Sequence, residues 1–428
     1  EESIKLLKSV EGRDKERDYA ILVLFLNCGL RLSELCSLNY SDINTDNTMT
    51  VTGKGNKERT IYLNEMCVNA VNEYMKVRPV DGVKDKKALF LSNRKCRISP
   101  KTVQHIVEKY IEKCVTSVLE QTFDDFEIIV VIDGSTDGSE AKVRKLQEEN
   151  PGKIIIINQE NKGLGGARNT GIINARGEYL LFVDSDDYIE KDLLADATKI
   201  IESENSDVVI FDFDYVDESG ALLKQERAVP MGNAEFSVMP GVLTAWPCAW
   251  DKLYKKTLFT ENGIFYPDRL WFEDLATTPR ILSETLKISY LAKPYYNYVQ
   301  RSDSIMADSK KNAARILRNK EILTAYELSE NYFLQTGKHA QYCSELEYLA
   351  VYHILFTATM RVNKSDPGNM LQAQLVDYTL KKYPHFEKNK YYKCLLSQKD
   401  RISIWFLRHK LFRMLHLILD INRKFKDR

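Results

Sequence analysis

The sequence has no run of about 18 apolar residues, no C-x-x-C pair and no net charge. The first absence argues against a membrane-spanning helix. The second argues against a zinc site or a disulfide framework built from the eight cysteines. Lys+Arg and Asp+Glu both total 61, so only local clusters of charge can indicate a partner. Because a basic-then-apolar leader is also missing, we expect a cytoplasmic protein, and peripheral contact with the inner face of the membrane stays open.

The 428 residues, 44% hydrophobic and 29% charged, are enough for two or three globular domains. Helical patterns dominate residues 14–113, except for a hairpin pattern at 48–52 and 59–63 around the turn G-K-G-N. From about residue 310 onward the patterns are again helical. We therefore predict three domains, at 1–113, 114–304 and 305–428.

The middle region alternates short β-branched runs with helical runs. The strand patterns cover residues 127–132, 153–158, 178–183 and 207–213. Helical patterns lie between them, at 139–149, 167–176 and 191–204. Alternation of this kind predicts an α/β fold, a Rossmann-like parallel sheet with helices on both faces.

Helical spacing continues without a break across the boundary near residue 113. The apolar positions that keep this spacing are Val103, Ile106, Val107, Tyr110, Ile111, Cys114, Val115, Val118 and Leu119. We therefore predict one continuous helix across the junction of the first two regions.

An apolar run ends in three acids at residues 180–187, LLFVDSDD. Side chains alternate faces along an extended segment, so Asp184 and Asp186 are predicted to point to the same side and to converge on one divalent cation. Asp and Ser also begin turns and cap helices. On this segment alone, a metal site and a capping role are equally open.

Two further loops follow predicted strands, and ligands of parallel α/β sheets bind beyond the carboxyl ends of strands. The first loop begins at Asp133, which can accept a hydrogen bond from a base or ribose. The second contains G-L-G-G-A-R at 163–168, whose glycines let backbone approach a phosphate that Arg168 can neutralise. A nucleotide site is predicted, whereas a dinucleotide fingerprint is disfavoured because the glycine spacing is imperfect.

Residues 110–304 resemble the inverting family-2 glycosyltransferases. The blocks that carry the resemblance, in the family's order, are SVLEQTFDDFEIIVV, DGSTDGS, NKGLGGARNTGI, GEYLLFVDSDD, AWDKLYKKTLF, WFEDL and YVQRSDSI. The resemblance implies a glycosyltransferase A-type fold and a nucleotide-diphospho-sugar donor. It implies Asp133 at the nucleoside, Asp184 and Asp186 at a Mg²⁺ or Mn²⁺ ion with the diphosphate, and Asp274 as the catalytic base. Ile132 departs from the family, which usually has an acid there.

The chemistry of sugar transfer requires these groups. An acceptor hydroxyl must lose its proton as it attacks, and a carboxylate such as Asp274 can take it. A metal ion stabilises the charge of the departing diphosphate. Trp246, Trp250 and Trp271 are candidates for stacking on an acceptor sugar, with burial in the core an equal alternative. A glycan or lipid-linked acceptor of the cell envelope is expected.

The first region resembles the front half of a tyrosine recombinase catalytic domain, through NCGLRLSEL at 27–35 and GKGNKER at 53–59. In that family the residue matching Arg31 binds the scissile phosphate, and the one matching Lys54 acts as an acid. The later His-x-x-Arg and the tyrosine nucleophile are missing, since His105 is not followed by such an arginine. We expect no strand cleavage, with weak and salt-sensitive DNA binding left open.

The family-2 resemblance also begins too late to include that family's first strand, which lies in mid-sheet. Neighbouring strands would then have unpaired backbone groups. Two alternatives to a working transferase therefore stay open: a DNA-binding remnant of a recombinase, and a rearranged chain with no activity.

Residues 401–428 contain eight basic and two acidic side chains, a net charge of +6, beside an apolar stripe at helical spacing. A basic amphipathic helix can lie on an anionic membrane. A helix that docks on the transferase is an equal alternative.

Overall fold

The computed structural model describes residues 15–28, 30, 32–44, 46–52, 58–63, 65–92, 94–135, 139–217, 220–229, 240–299 and 313–426. Arg31 and Lys54, and the predicted boundary near 304, lie outside these residues. No described helix is both long enough and apolar enough to cross a membrane.

The first region is mostly helical around one hairpin. Its elements are α1 (Lys15–Cys28), α2 (Leu32–Ser37), β1 (Thr48–Thr52), β2 (Glu58–Tyr62), α3 (Glu65–Val77) and α4 (Pro100–Leu119). β1 and β2 pair antiparallel, as the sequence predicts. A separate core of buried side chains, among them Leu24, Leu35, Met49 and Phe90, holds this region together.

The continuous helix predicted across the junction is confirmed as α4. Ser99 caps it, its side chain accepting a hydrogen bond from the Thr102 N–H, and Pro100 occupies the first turn, where its missing N–H costs nothing. The helix ends at Leu119 without a break. In its carboxyl half, Val115 packs against buried side chains of the α/β region that follows along the chain.

The middle region is α/β, as predicted. Its elements are β3 (Ile128–Asp133), α5 (Ser139–Glu149), β4 (Ile154–Gln159), α6 (Gly163–Asn174), β5 (Tyr179–Leu181), β6 (Tyr188–Ile189), α7 (Leu193–Glu204), β7 (Val208–Val216), β8 (Leu222–Glu226), β9 (Lys252–Lys255), α8 (Thr257–Thr260), α9 (Glu273–Glu284) and β10 (Ile288–Val299).

The strands of this region form two sheets. β3 and β4 pair parallel as a two-stranded sheet, and the larger sheet has the order β5-β9-β7-β10-β6, with β8 beside β7. Within the larger sheet β7 and β10 are parallel, while β9 runs antiparallel to both β5 and β7. The α/β architecture therefore includes antiparallel strands that the alternation of patterns did not predict.

The division between the sheets agrees with the missing first strand. β3 pairs only with β4, and β5 only with β9, so in the described part of the chain no strand joins the two sheets. The β1–β2 hairpin remains a sheet of its own and does not replace the missing strand. The small sheet is held instead by side chains from α4 and α5, including Val115, Val143 and Leu146.

The carboxy-terminal region is helical. Its elements are α10 (Ala313–Arg318), α11 (Glu321–Gln335), α12 (His339–Leu349), a π-helix (Ala350–Ala358), α13 (Thr359–Ser365), α14 (Met370–Lys382), α15 (Lys390–Leu395), α16 (Gln398–Arg408) and α17 (Phe412–Lys426). Two clusters of buried side chains form its interior, and Leu275 of α9 joins one of them.

We predict that β3 and β4 are less protected from hydrogen exchange than β7. A two-stranded sheet is marginally stable by itself, whereas β7 is paired along both edges. Exchange followed by mass spectrometry on peptides that cover 128–133, 154–159 and 208–216 measures the difference. Equally slow exchange in all three segments would contradict the prediction and indicate a sheet that is complete in solution.

Candidate functional site

The acid cluster at 184–187 forms a turn. β5 ends at Leu181, and the Asp187 N–H donates to the Asp184 carbonyl at 3.0 Å. The predicted extended segment through Val183 is therefore wrong in its last residues, because Asp and Ser favour turns over strands. Asp184 and Asp186 are brought into one turn, though not by alternation along a strand.

Asp187 has a structural role in this turn. Its carboxylate accepts hydrogen bonds from the Tyr296 hydroxyl at 2.8 Å and from the Val299 N–H at 3.0 Å. The same Tyr296 hydroxyl accepts one from the Asp184 N–H at 3.1 Å. The turn is thereby fixed to β10.

Arg168 of α6 lies between Asp184 and Glu273. Its Nη2 atom is 3.1 Å from Asp184 Oδ1, and its Nη1 atom is 2.7 Å from Glu273 Oε1. All three side chains are at most 7% exposed. Burial disfavours the charge of Arg168, yet the two carboxylates raise its pKa well above the ordinary value. The guanidinium therefore stays charged and holds the acid turn to the first turn of α9.

The glycines at the start of α6 allow close packing of protein on protein. A Cβ atom on Gly165 would lie 2.3 Å from the Pro267 carbonyl oxygen. Asn169, on the same helix, exchanges hydrogen bonds of 2.7 and 2.9 Å with the backbone of Tyr266. The glycine run thus brings α6 against the segment before α9, and its approach to a phosphate stays a prediction.

Asp133 holds together the two loops that follow β3 and β4. Its carboxylate accepts hydrogen bonds from Gln159 Nε2 at 2.7 Å and from the N–H groups of Lys162 and Gly163, both at 2.8 Å. This arrangement fixes the amino end of α6. The role of Asp133 at a nucleoside stays a prediction.

Asp274 lines a cavity of 670 Å³ between the α/β region and the carboxy-terminal helices. It is half-buried in the first turn of α9, beside the buried Glu273. The residue before them, Phe272, has a φ of 66°. An aromatic residue in the left-handed region is strained, and such strain is concentrated at functional sites.

The three candidate tryptophans divide between the cavity and the core. Trp246 and Trp271 line the cavity. Trp250 is 7% exposed and stacks on Tyr296 and Tyr298, with ring centroids 4.4 and 5.3 Å apart. Two of them therefore remain candidates for contact with an acceptor, and the third belongs to the core.

A buried ion pair next to the cavity was missed in the sequence. Lys252 and Asp251 are both fully buried and bonded to each other. Lys252 Nζ also donates to the carbonyl oxygens of Trp246 at 2.7 Å and Cys248 at 3.1 Å. Burial raises the pKa of Asp251 to about 6, against the opposing charge of Lys252. The pair fixes the loop that forms one wall of the cavity.

The described part of the recombinase-like region contains a two-point ion pair at its hairpin. Arg59 binds Glu34 through both guanidinium nitrogens, at 2.8 and 2.9 Å. Arg31 and Lys54 lie outside the described residues, so their predicted roles stay predictions. Because Glu34 neutralises Arg59, this arginine contributes little net charge to a DNA-binding surface.

A metal ion that arrives with a nucleotide at the acid turn stays a prediction. Among the described residues, no group of three or more His, Cys, Asp or Glu side chains is placed to hold an ion. Asp184 and Asp186, however, offer two carboxylates in one turn. Mg²⁺ takes one or two protein carboxylates and completes its coordination with phosphate and water.

Comparison with known proteins divides the chain in two. Residues 1–125 match the Phage integrase family, and residues 103–265 match Glycosyl transferase family 2. Tyrosine recombinase XerC of Caldanaerobacter subterraneus subsp. tengcongensis is 64% identical over 112 residues, which are 26% of this chain and 31% of that protein.

Glycosyltransferase GlyG of Streptococcus pneumoniae serotype 4 is 32% identical over 216 residues, which are 46% of this chain and 69% of GlyG. A crystal structure of Staphylococcus aureus TarS aligns with a TM-score of 0.49 and 25% identity, covering 72% of this chain and 52% of TarS. The chain spans only 30 to 31% of the length of the first curated relatives it matches. Because it covers more than two thirds of GlyG at this identity, the chain belongs to glycosyl transferase family 2, with a recombinase-like segment joined in front.

Proposed function

We propose that this chain transfers a sugar, with inversion, from a nucleotide-diphospho-sugar to a hydroxyl of a cell-envelope glycan or lipid-linked acceptor. The observation that carries the proposal is the position of Asp274. Its carboxylate lines a 670 Å³ cavity and follows Glu273, which Arg168 ties to the acid turn. A base for the acceptor and carboxylates for the donor thus belong to one connected unit.

In this proposal each side chain has a separate task. Asp274 takes the proton of the acceptor hydroxyl as that oxygen attacks the anomeric carbon. Asp184 and Asp186 hold a Mg²⁺ or Mn²⁺ ion, which supplies Lewis-acid stabilisation of the diphosphate when bound. Arg168 positions Asp184 and the start of α9 through its two buried ion pairs, and its contact with the donor phosphate stays a prediction.

We also propose that the outer face of the carboxy-terminal helices contacts an anionic membrane surface. One face of α17 packs Phe412 and Leu415 into the core of the carboxy-terminal region, so this face docks on the protein. Its other face exposes Met414, Leu417 and Ile421, spaced three and four residues apart. The net charge of +6 over residues 401–428 complements anionic headgroups.

We expect Asp274→Asn to lower the rate of transfer by about 10²- to 10⁴-fold, the usual contribution of a general base, while donor binding is retained. Transfer is measured with a panel of nucleotide sugars. Binding is measured as the rise in melting temperature with UDP and Mn²⁺, since a ligand of the native state raises its stability. Asp377→Asn, at an exposed carboxylate paired with Lys410, is the matched control.

Asp186→Asn should abolish the Mn²⁺-dependent part of the UDP shift in the same assay. Donor hydrolysis or transfer that persists in both variants would overturn the proposed chemistry. A chain without a cooperative melt and without a shift on adding UDP and Mn²⁺ would support the alternative of a rearranged, inactive protein.

Arg168→Met should destabilise the fold by about 3–5 kcal/mol, because Asp184 and Glu273 are left buried without their counter-charge. Urea unfolding measures this loss. Protonation of Asp184 and Glu273 removes the uncompensated charge in the variant, so the loss of unfolding free energy should shrink as the pH falls. Arg176→Met removes an arginine that is 74% exposed from its pair with Glu127 and should cost less than about 1 kcal/mol. Equal losses in the two variants would refute the buried bridge.

Leu417→Asp should lower binding of the full chain to phosphatidylglycerol-containing vesicles, because a leucine buried in the interface contributes about 1.5–3 kcal/mol. Co-sedimentation is compared with pure phosphatidylcholine vesicles. Leu286→Asp, at a leucine 79% exposed before β10, is the control and should bind normally. Absence of binding to anionic vesicles, or a dimer that Leu417→Asp dissociates, would contradict membrane contact.

A further inference from the structure

The cavity at Asp274 is closed on one side by the carboxy-terminal helices. That side is formed by Arg318 of α10, by His353 and Thr357 of the π-helix and by Arg361 of α13. His353, Thr357 and Arg361 are four residues apart and form one row along the cavity. The α/β region therefore supplies the base, and the helical region supplies cations and hydrogen-bonding groups opposite it.

The Arg318 guanidinium is held in a fixed orientation. Its carbon lies 4.3 Å from the centre of the Trp271 ring, and its Nε donates to Glu321 Oε1 at 2.8 Å. The backbone N–H of Trp271 donates to the other carboxylate oxygen of Glu321, Oε2, also at 2.8 Å. Arginine and tryptophan are thus positioned by one carboxylate. Such an arrangement lowers the entropy lost when the guanidinium binds a ligand.

Arg361 lies over the neighbouring aromatic ring. Its guanidinium carbon is 5.4 Å from the centre of the Phe272 ring, next to the strained backbone that precedes Glu273. Cation–π contact helps to orient a guanidinium. Arg269 also lines the cavity. Against these three arginines the lining contains two carboxylates, of which Glu273 is bridged to Arg168. Glu321, behind the lining, pairs with Arg318.

The π-helix shapes this wall. Thr357 and Thr359 donate from their hydroxyls to the carbonyl oxygens of Tyr352 at 2.8 Å and Ile354 at 3.0 Å, each five residues back. π-Helical turns are uncommon and frequently occur at functional sites. Burial, followed by the charge of Arg361, lowers the pKa of His353 to about 3. His353 is therefore neutral near pH 7, and the positive charge of the wall comes from the arginines.

We propose that this cavity binds an acceptor that carries a phosphate or carboxylate group, which Arg318 and Arg361 hold while the acceptor hydroxyl faces Asp274. Guanidinium groups suit such oxyanions because they donate in pairs to planar or tetrahedral oxygens. Trp246 and Trp271 offer faces for the carbon skeleton of a sugar or polyol. The inference rests on the proposed function only for the role of Asp274, since binding of the anion does not require catalysis.

The test uses the full chain and matched small acceptors. Glucose 6-phosphate, glucuronate and glucose are titrated by calorimetry in the presence of UDP and Mn²⁺. We expect the phosphate to bind at least about tenfold more tightly than glucose. Glucuronate shows whether a carboxylate suffices. Arg318→Gln and Arg361→Gln should each lower the ratio of the affinity for glucose 6-phosphate to that for glucose about tenfold. Arg144→Gln, at an exposed ion pair on α5, should leave this ratio unchanged.

Equal affinity for glucose and glucose 6-phosphate in the unmodified chain would overturn the inference. A loss of UDP affinity in Arg318→Gln and Arg361→Gln would assign these arginines to the donor and would overturn it as well. If the glutamine variants do not fold, Arg318→Lys and Arg361→Lys keep the charge and should keep part of the preference. Failure of the proposed function is distinguishable, because it would appear as transfer that survives Asp274→Asn while the anion preference persists.

Discussion

The Arg168 guanidinium joins two parts of the chain that are 105 residues apart, and the geometry of the site depends on it. Asp184 and Glu273 are too deeply buried to be charged without a partner, and Arg168 bridges both of them. A cation bound at Asp184 would compete with Arg168 for the same carboxylate. The acid turn and the helix that carries Asp274 are therefore electrostatically coupled through the Arg168 side chain.

The α/β region is divided into two sheets, and each sheet carries one part of the candidate site. Asp133, at the end of β3, is in the small sheet, whereas Asp184 follows β5 at the edge of the large one. In the described chain the two sheets share no backbone hydrogen bonds. They are joined through side chains, among them Ile129, which packs against the core of the large sheet. Since no backbone pairing joins the two sheets in the described chain, motion between them would change the distance between Asp133 and Asp184.

The sequence predicted the hairpin, the junction helix and the alternation of four strands with three helices over residues 127–213, because each depends on local periodicity. The ordered motifs also indicated Arg168, Asp184 and Asp274, whose roles stay predictions. The sequence did not predict that Gly165 packs on Pro267, that Lys252 holds the loop at Trp246, or that Phe272 is strained. These features arise from contacts between distant segments, which composition and spacing do not encode. The antiparallel strands were missed for the same reason, since strand direction is decided by the path of the whole chain.

The junction helix explains why the two unequal halves can share one chain. A helix is closed by bonds between residues four apart, so α4 can pass from one family's sequence to the other's without losing a partner elsewhere. Its carboxyl half still meets the transferase: the Cys114 thiol donates to the Asp184 carbonyl at 3.4 Å, and Ser117 accepts from the Ile189 N–H at 3.3 Å. A strand at the same place would have needed two neighbours along its length. The acid turn therefore keeps its contacts with α4. The pairing that is missing is the one that would join the two sheets of the α/β region.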